Sequence, residues 1–250
     1  MSDGGVPGSL SAGHAAGGVT GAAGDVGAAR FPDWRDWPMI RLWENALTSR
    51  GWTLQSLKPL NLLARRNGEP LFALLDAHGT DPDGRPMLPY VLVRGAAVVV
   101  VPECVNRATG ERKFLMVLQR RVGDGTLSLE FPAGMVENGG DPAGAARREL
   151  QEETGLSEDV LADATLEPLW TRGLTSSPGL TDEAVYFYAV TLTLDDAAYG
   201  RLDGGVAGHE EEGEHIITAL RTADEVMAGT GSVLPLLGLL LFQRRGAQGG

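Results

Sequence analysis

Hydrophobic and polar positions change their spacing along the chain, and the changes mark out its elements. Residues 1 to about 29 are mostly Gly and Ala with almost no large apolar side chain. Such a stretch buries too little surface to offset its ordering entropy and reads as a disordered tail. Phe31, Trp34, Trp37, Ile40, Leu42 and Trp43 then form an aromatic and aliphatic cluster, and Trp43 to Arg50 reads as a helix. Tryptophans so grouped fill a core or anchor a partner subunit, and the pattern leaves both readings open. From Trp52 to Arg94, short apolar runs are broken by turn residues. Leu71 to Leu75 and Tyr90 to Val93 read as strands, separated by an Asp81-Pro82-Asp83-Gly84 turn. This predicts a small antiparallel N-terminal sheet.

The second half alternates strands with helices. Ala96 to Val101 and Phe114 to Gln119 are apolar runs of strand length, joined by a turn from Asn106 to Arg112. Asp141 to Thr154 has helix punctuation: Asp141 as N-cap, Pro142 at the first helical position and Gly155 as the stop. Ala184 to Thr193 and His215 to Leu220 read as strands, and Ala223 to Met227 and Val233 to Arg244 as helices. Interleaving of this kind predicts an α/β sandwich. The expected organisation is a tail over 1–29, a helix and small sheet over 30–93, and the main α/β domain over 94–245.

Composition narrows the functional classes. The chain has 250 residues, 43% of them hydrophobic, and a formal net charge of −12. That acidity argues against non-specific binding to nucleic acid or to anionic membranes. It does not exclude an anionic substrate, because a bound divalent metal and a few arginines reverse the field inside one cleft. The single cysteine, Cys104, permits no intrachain disulfide and is read as a semi-buried thiol. The best apolar stretch, Val233 to Phe242, is about half of the ~20 residues that span a bilayer. The N-terminus lacks an apolar signal core, and Asp3 and Asp25 precede its first arginine, Arg30. A soluble cytoplasmic protein is expected, with an organelle as the alternative.

The chemistry concentrates between Glu130 and Leu156. Glu149, Glu152 and Glu153 stand at i, i+3 and i+4, within roughly a 100° arc of one helix. Like charges at that spacing repel, and the neighbouring Arg147 and Arg148 offset them only in part. A solvated acidic face is the plain explanation of such a triplet; a hard divalent cation with oxygen ligands is the other. Pro132-Ala133-Gly134 just upstream makes a strand-to-turn exit, and Gly134 lets backbone approach the same place.

Taken together, the segment resembles the Nudix box, G-x5-E-x7-R-E-U-x-E-E-x-G-U, with U a bulky aliphatic residue. Gly134 opens it, and Arg148, Glu149, Leu150, Glu152, Glu153, Gly155 and Leu156 fall on its fixed positions. One position departs: Gly140 stands where the box has a glutamate, and Glu137 is a substitute three residues earlier. The resemblance implies a Nudix α/β/α sandwich with a mixed sheet. It also implies Mg²⁺, with Mn²⁺ as an alternative, held by the Ala133 carbonyl, Glu149, Glu152, Glu153 and Glu214. Arg148 would orient the glutamates.

Three further segments resemble the ADP-ribose and ADP-sugar diphosphatase branch, the plant-type enzymes in particular. These are Gln119-Arg120-Arg121, the loop Ser177 to Glu183, and the acidic run Glu210 to Glu214 flanked by His209 and His215. The resemblance extends upstream through Arg94-Gly95-Ala96. It implies substrate contacts from Gln119, Arg121, Arg94, Glu130, Pro178 and Gly179. The expected catalytic residues are Glu212, Glu214, Arg148 and Glu152. The implied reaction is Mg²⁺-dependent hydrolysis of ADP-ribose or ADP-glucose to AMP and sugar 1-phosphate, by a homodimer that binds neither nucleic acid nor membrane. The alternatives are a GDP-mannose or dinucleoside polyphosphate hydrolase and a nucleotide-sugar binding protein that does not hydrolyse.

Overall fold

A computed structural model of the chain describes residues 30–65, 68–208 and 215–248. The expected tail over residues 1–29 lies outside the described residues. The first described helix, α1 (Pro38–Ser49), begins five residues before the predicted start at Trp43. Proline is tolerated in a first helical turn, where its missing N–H has no partner to lose. Helix α1 covers a three-stranded antiparallel sheet of β1 (Thr53–Ala64), β2 (Pro70–Thr80) and β3 (Tyr90–Val93), in that spatial order. Strand β1 was not legible as a strand, because its pairing with β2 slips at three places, one of them at Pro59. A proline cannot donate to a ladder, and β1 tolerates it as an edge strand. Gly79 on β2 is needed where the strands crowd: a Cβ there would lie 1.9 Å from the Thr53 carbonyl oxygen.

Trp34, Met39, Ile40 and Trp43 are buried together with Leu57, Leu62, Ala73, Leu75, Ala77 and Val93. Trp34 and Trp43 are therefore core residues of this N-terminal layer, which settles the question the aromatic cluster left open. Trp37 is partly buried and packs edge-on against Phe31, with ring centroids 5.3 Å apart.

The second sheet is mixed and, among the described residues, has nine strands. Its main path uses β4 (Ala97–Asn106), β5 (Arg112–Arg120), β8 (Glu167–Pro168), β10 (Ala184–Leu194), β11 (Val206–Ala207) and β12 (Ile216–Arg221), in the order β11-β12-β5-β4-β10-β8. Of the short strands, β6 (Leu127–Glu130) pairs with β5, β7 (Ala133–Met135) with β4, and β9 (Leu174–Thr175) with β10. Strands β4 and β10 run parallel at the centre, while β12–β5 and β4–β5 are antiparallel. Val98 to Val101 are all almost fully buried, as expected for a strand covered on both faces.

One face carries α2 (Pro142–Thr154), α3 (Glu158–Ala162) and α4 (Asp196–Arg201), which contribute Ala145, Ala146, Leu150, Leu161 and Tyr199 to a core with Val98, Val100 and Leu115. The other carries α5 (Ala223–Gly229) and α6 (Val233–Gln248), whose Val226, Leu239 and Leu241 pack on Val99, Val101, Phe114 and Met116. The architecture is thus the α/β/α sandwich with a mixed sheet that the resemblance implies, preceded by the small antiparallel sheet that the pattern predicts. Cys104, expected to be semi-buried, is fully buried, and burial pushes its thiol up to about 12. Among the described residues no helix is long and apolar enough to cross a membrane.

Candidate functional site

Helix α2 positions the acidic turn, and its ends are fixed by local chemistry. Asp141 caps it, accepting from the Ala143 N–H at 3.1 Å and the Gly144 N–H at 2.9 Å. Gly155 ends it in the left-handed region at φ 66°, with its N–H on the Gln151 carbonyl. Ala145, Ala146 and Leu150 anchor the inner face. Glu149 and Glu153 consequently meet β7, at Gly134 and Ala133, and Glu152 lies beside Arg148.

Glu153 is 5% exposed. Its Oε2 accepts the Ala133 N–H at 2.9 Å, and its Oε1 accepts the Gln119 amide Nε2 at 3.5 Å. Glu149 lies directly against the backbone of Gly134. A Cβ on residue 134 would stand 2.0 Å from the Glu149 carboxyl carbon, so only glycine leaves room for that carboxylate. Ala133 meets the cluster through its N–H; the sequence pointed to its carbonyl.

Arg148 supplies the positive charge between the carboxylates. Its Nη2 donates to Glu149 Oε1 at 2.9 Å and to the Met135 carbonyl at 3.2 Å. Glu137 Oε1 is 3.6 Å from the same nitrogen, and Glu152 Oε2 is 3.7 Å from Nε. Burial disfavours the charged guanidinium, yet the hydrogen bond to Glu149 and the fields of Glu149, Glu137 and Glu152 outweigh it and raise the Arg148 pKa. The β7–α2 loop therefore faces Arg148 with Glu137, while Gly140 occupies the box's glutamate position. A Cβ on Gly140 would approach the Glu137 carbonyl oxygen to 3.0 Å.

The other expected contact residues fall into two groups. Arg121 and Glu130 grip each other across β5 and β6, with Nε–Oε1 2.9 Å and Nη2–Oε2 2.6 Å. Burial works against the Glu130 carboxylate, but the Arg121 hydrogen bonds and charge prevail and lower its pKa. Arg94 pairs with Glu183 at 3.2 Å. Asp182 accepts the backbone N–H groups of Arg94 at 2.8 Å and Gly95 at 3.2 Å, which ties the loop after β9 to the exit of β3. Pro178 and Gly179 lie exposed at the tip of that loop. Asp182 and Glu183 were legible within the loop motif but had no assigned role, and the structure makes them the loop's anchors. Leu42 of α1 was legible only as part of the apolar cluster, not as a neighbour of the site: a Cβ on Gly139 would lie 2.6 Å from its Cδ1, so α1 packs on the loop that precedes α2. A small cleft of about 80 Å³, open to solvent, lies at that junction and is lined in part by Met39, Leu42, Arg94, Ala96, Met135 and Glu137.

Glu212, Glu214 and His209 lie outside the described residues. The chain enters that segment beside the acidic turn, since the Gly208 N–H donates to the Glu152 carbonyl at 3.3 Å. His215, on its far side, is exposed.

A cation is the natural complement of this turn. The donors are hard carboxylate oxygens, and Gly134 forms a cradle that any side chain would fill. As the side chains stand, Arg148 lies between Glu149 and Glu152, and among the described residues no three acidic, His or Cys groups converge on one point. The donor set fits a divalent ion; the present packing has a guanidinium supplying the positive charge.

Comparison with known proteins gives the same direction. Residues 94–204 match the family model for the NUDIX domain. The chain is 26% identical over 246 residues to Nudix hydrolase 14, chloroplastic, of Arabidopsis thaliana, a match covering 92% of this chain and 78% of that protein. It is 38% identical over 101 residues to the ADP-sugar pyrophosphatase of Mus musculus, covering 40% of this chain and 43% of the relative. It is 33% identical over 107 residues to the ADP-ribose pyrophosphatase of Bacillus subtilis, covering 43% and 51%. The last two matches thus span about half the relatives' length or less. A solved crystal structure of an ADP compounds hydrolase superposes with a TM-score of 0.54 at 19% identity, covering 80% of this chain and 96% of that one, and shows the fold. Residues 94–204 are a Nudix domain, and the chain around them is similar to a Nudix hydrolase and, in part, to ADP-sugar and ADP-ribose pyrophosphatases.

Proposed function

We propose that this protein hydrolyses the diphosphate of an ADP-sugar, ADP-ribose or ADP-glucose, to AMP and a sugar phosphate in the presence of Mg²⁺. The observation that carries the reading is the Glu149 carboxylate lying on the bare backbone of Gly134, one helical turn from Glu152 and Glu153. The names of the mouse and Bacillus relatives, an ADP-sugar and an ADP-ribose pyrophosphatase, support the substrate class.

Glu149, Glu152 and Glu153 are the residues proposed to hold Mg²⁺. When bound, the cation supplies positive charge against the diphosphate and acidifies water. The chain's own residues prepare the rest. The Ala133 N–H fixes the rotamer of buried Glu153, and Arg148 holds Glu149 and faces Glu152. Arg121 presents a planar fork suited to phosphate oxygens, with Glu130 keeping it aimed until substrate arrives. Arg94 lines the cleft beside the loop, where the part of the substrate away from the reacting phosphates would lie. Hydrolysis joins a water oxygen to one phosphorus, breaks the bond from that phosphorus to the bridging oxygen, and leaves one proton to be taken up. Glu212 or Glu214 is proposed as the acceptor of that proton. A homodimer is proposed as well, supported by Leu60, Leu63 and Tyr90 standing exposed on the N-terminal sheet. Light scattering that reports twice the 26.4 kDa chain mass bears this out, and a monomer refutes it.

The test is a screen of ADP-ribose, ADP-glucose and GDP-mannose with Mg²⁺, followed by identification of the products. AMP released from an ADP-sugar, and its loss on chelation, is the expected result. Preference for GDP-mannose would overturn the substrate class, and binding without release of AMP would overturn hydrolysis.

A further inference from the structure

The sequence resemblance places Gln119 among the residues that touch substrate, but its amide faces the acidic turn. Alternate residues of β5 point to the same side, and Leu115, on that side, belongs to the core beneath α2. Val117, next in the row, is fully buried. Gln119 is third, and there the row turns from apolar to polar at the level of Glu153. Its Nε2 lies 3.5 Å from Glu153 Oε1, across 34 positions of sequence. The other carboxylate oxygen of Glu153 is held by the Ala133 N–H.

We infer that Gln119 is a positioning residue, which orients the Glu153 carboxylate for the divalent cation rather than contacting substrate; this rests on the metal reading of the acidic turn. The residue type suits the task. A carboxylate as buried as Glu153 needs hydrogen-bond donors. A lysine or arginine at position 119 would satisfy it and also cancel its charge, and would then compete with the incoming ion. An amide N–H fixes the rotamer and leaves the negative charge in place. The Ala133 N–H and the Gln119 amide, both neutral, each reach one Glu153 oxygen, and Arg148 donates to Glu149. Outer-shell groups of this kind are typically worth about 10–100-fold in metal affinity.

The experiment measures Mn²⁺ binding to the full chain by electron paramagnetic resonance, without substrate, in wild type, Q119M and Q119L. Both variants should keep the wild-type circular dichroism and bind Mn²⁺ about 10–100-fold more weakly. The Mg²⁺ concentration giving half-maximal rate should rise by a similar factor, while KM for an ADP-sugar at saturating Mg²⁺ stays unchanged. Mn²⁺ affinity within about twofold of wild type in both variants would overturn the assignment. So would a raised KM with Mn²⁺ affinity intact, which is the mark of a substrate contact. Unfolding of Q119M, which keeps the length of the side chain, would make Gln119 structural and overturn it too. A wild-type protein that binds no Mn²⁺ would overturn the metal reading beneath it, so the two failures are told apart.

Discussion

Gly134 is the residue on which the site's geometry turns. Its role is steric, because the Glu149 carboxylate occupies the volume a side chain would need. The clashing atoms are the far end of a flexible chain, so Gly134→Ala can be absorbed by swinging Glu149 aside. Stability should change by no more than about 0.5 kcal/mol, as for other replacements the fold can relax around. Activity should fall about 100-fold, because a catalytic group displaced by roughly 1 Å forfeits its alignment. Thermal unfolding and kcat measured on the one variant check this; a large loss of stability with kcat preserved would contradict it. At this scale the sequence was informative where a residue type has few uses. Gly134, Arg148 and the three glutamates were legible through their resemblance to the Nudix box, which their spacing alone left open. Leu42's place beside the site was not, since its partner Gly139 lies 97 positions away and an exposed leucine carries no signal of its neighbour. The pairing of Arg121 with Glu130 was hidden for a related reason: Glu130 is in register with Val117, and Arg121, just beyond the end of β5, reaches it only through a long side chain.

Among the elements, α2 was the most legible, because both of its ends are written in residue type. Asp141, Pro142 and Gly155 stand at cap, first turn and stop as expected. Removing the cap by Asp141→Ala should cost about 1 kcal/mol, since two backbone N–H groups lose their acceptor. Chemical denaturation measures it, and a cost near zero would show that the helix N-terminus is held by packing instead. The carboxylates lie two to three turns away, so kcat should change far less than in Gly134→Ala. Strand β1 shows the opposite case. Three register slips and Pro59 break its period of two, so no alternation marks it as a strand, and its pairing with β2 decides its structure. The short helices α3 and α4 were likewise unmarked, being five and six residues long.

At the scale of the whole molecule, two separate cores meet at the candidate site. The N-terminal layer closes on Trp34, Ile40 and Trp43, and the main sandwich closes on the faces of β4 and β5. Helix α1 bridges them by packing Leu42 on the loop before α2, and Asp182 ties the loop after β9 to the exit of β3. The net charge of −12 makes a cation the economical way to bring a diphosphate to this surface. One turn of α2 is therefore expected to bind a divalent ion. Diffraction from crystals soaked with Mn²⁺ and a non-hydrolysable ADP-sugar analogue, recorded at a wavelength where manganese scatters anomalously, tests it most directly. The expected result is an anomalous peak bounded by Glu149, Glu152 and Glu153, with Arg148 drawn away from Glu152. A well-occupied analogue with no manganese peak at those carboxylates, or a peak only elsewhere, would contradict it.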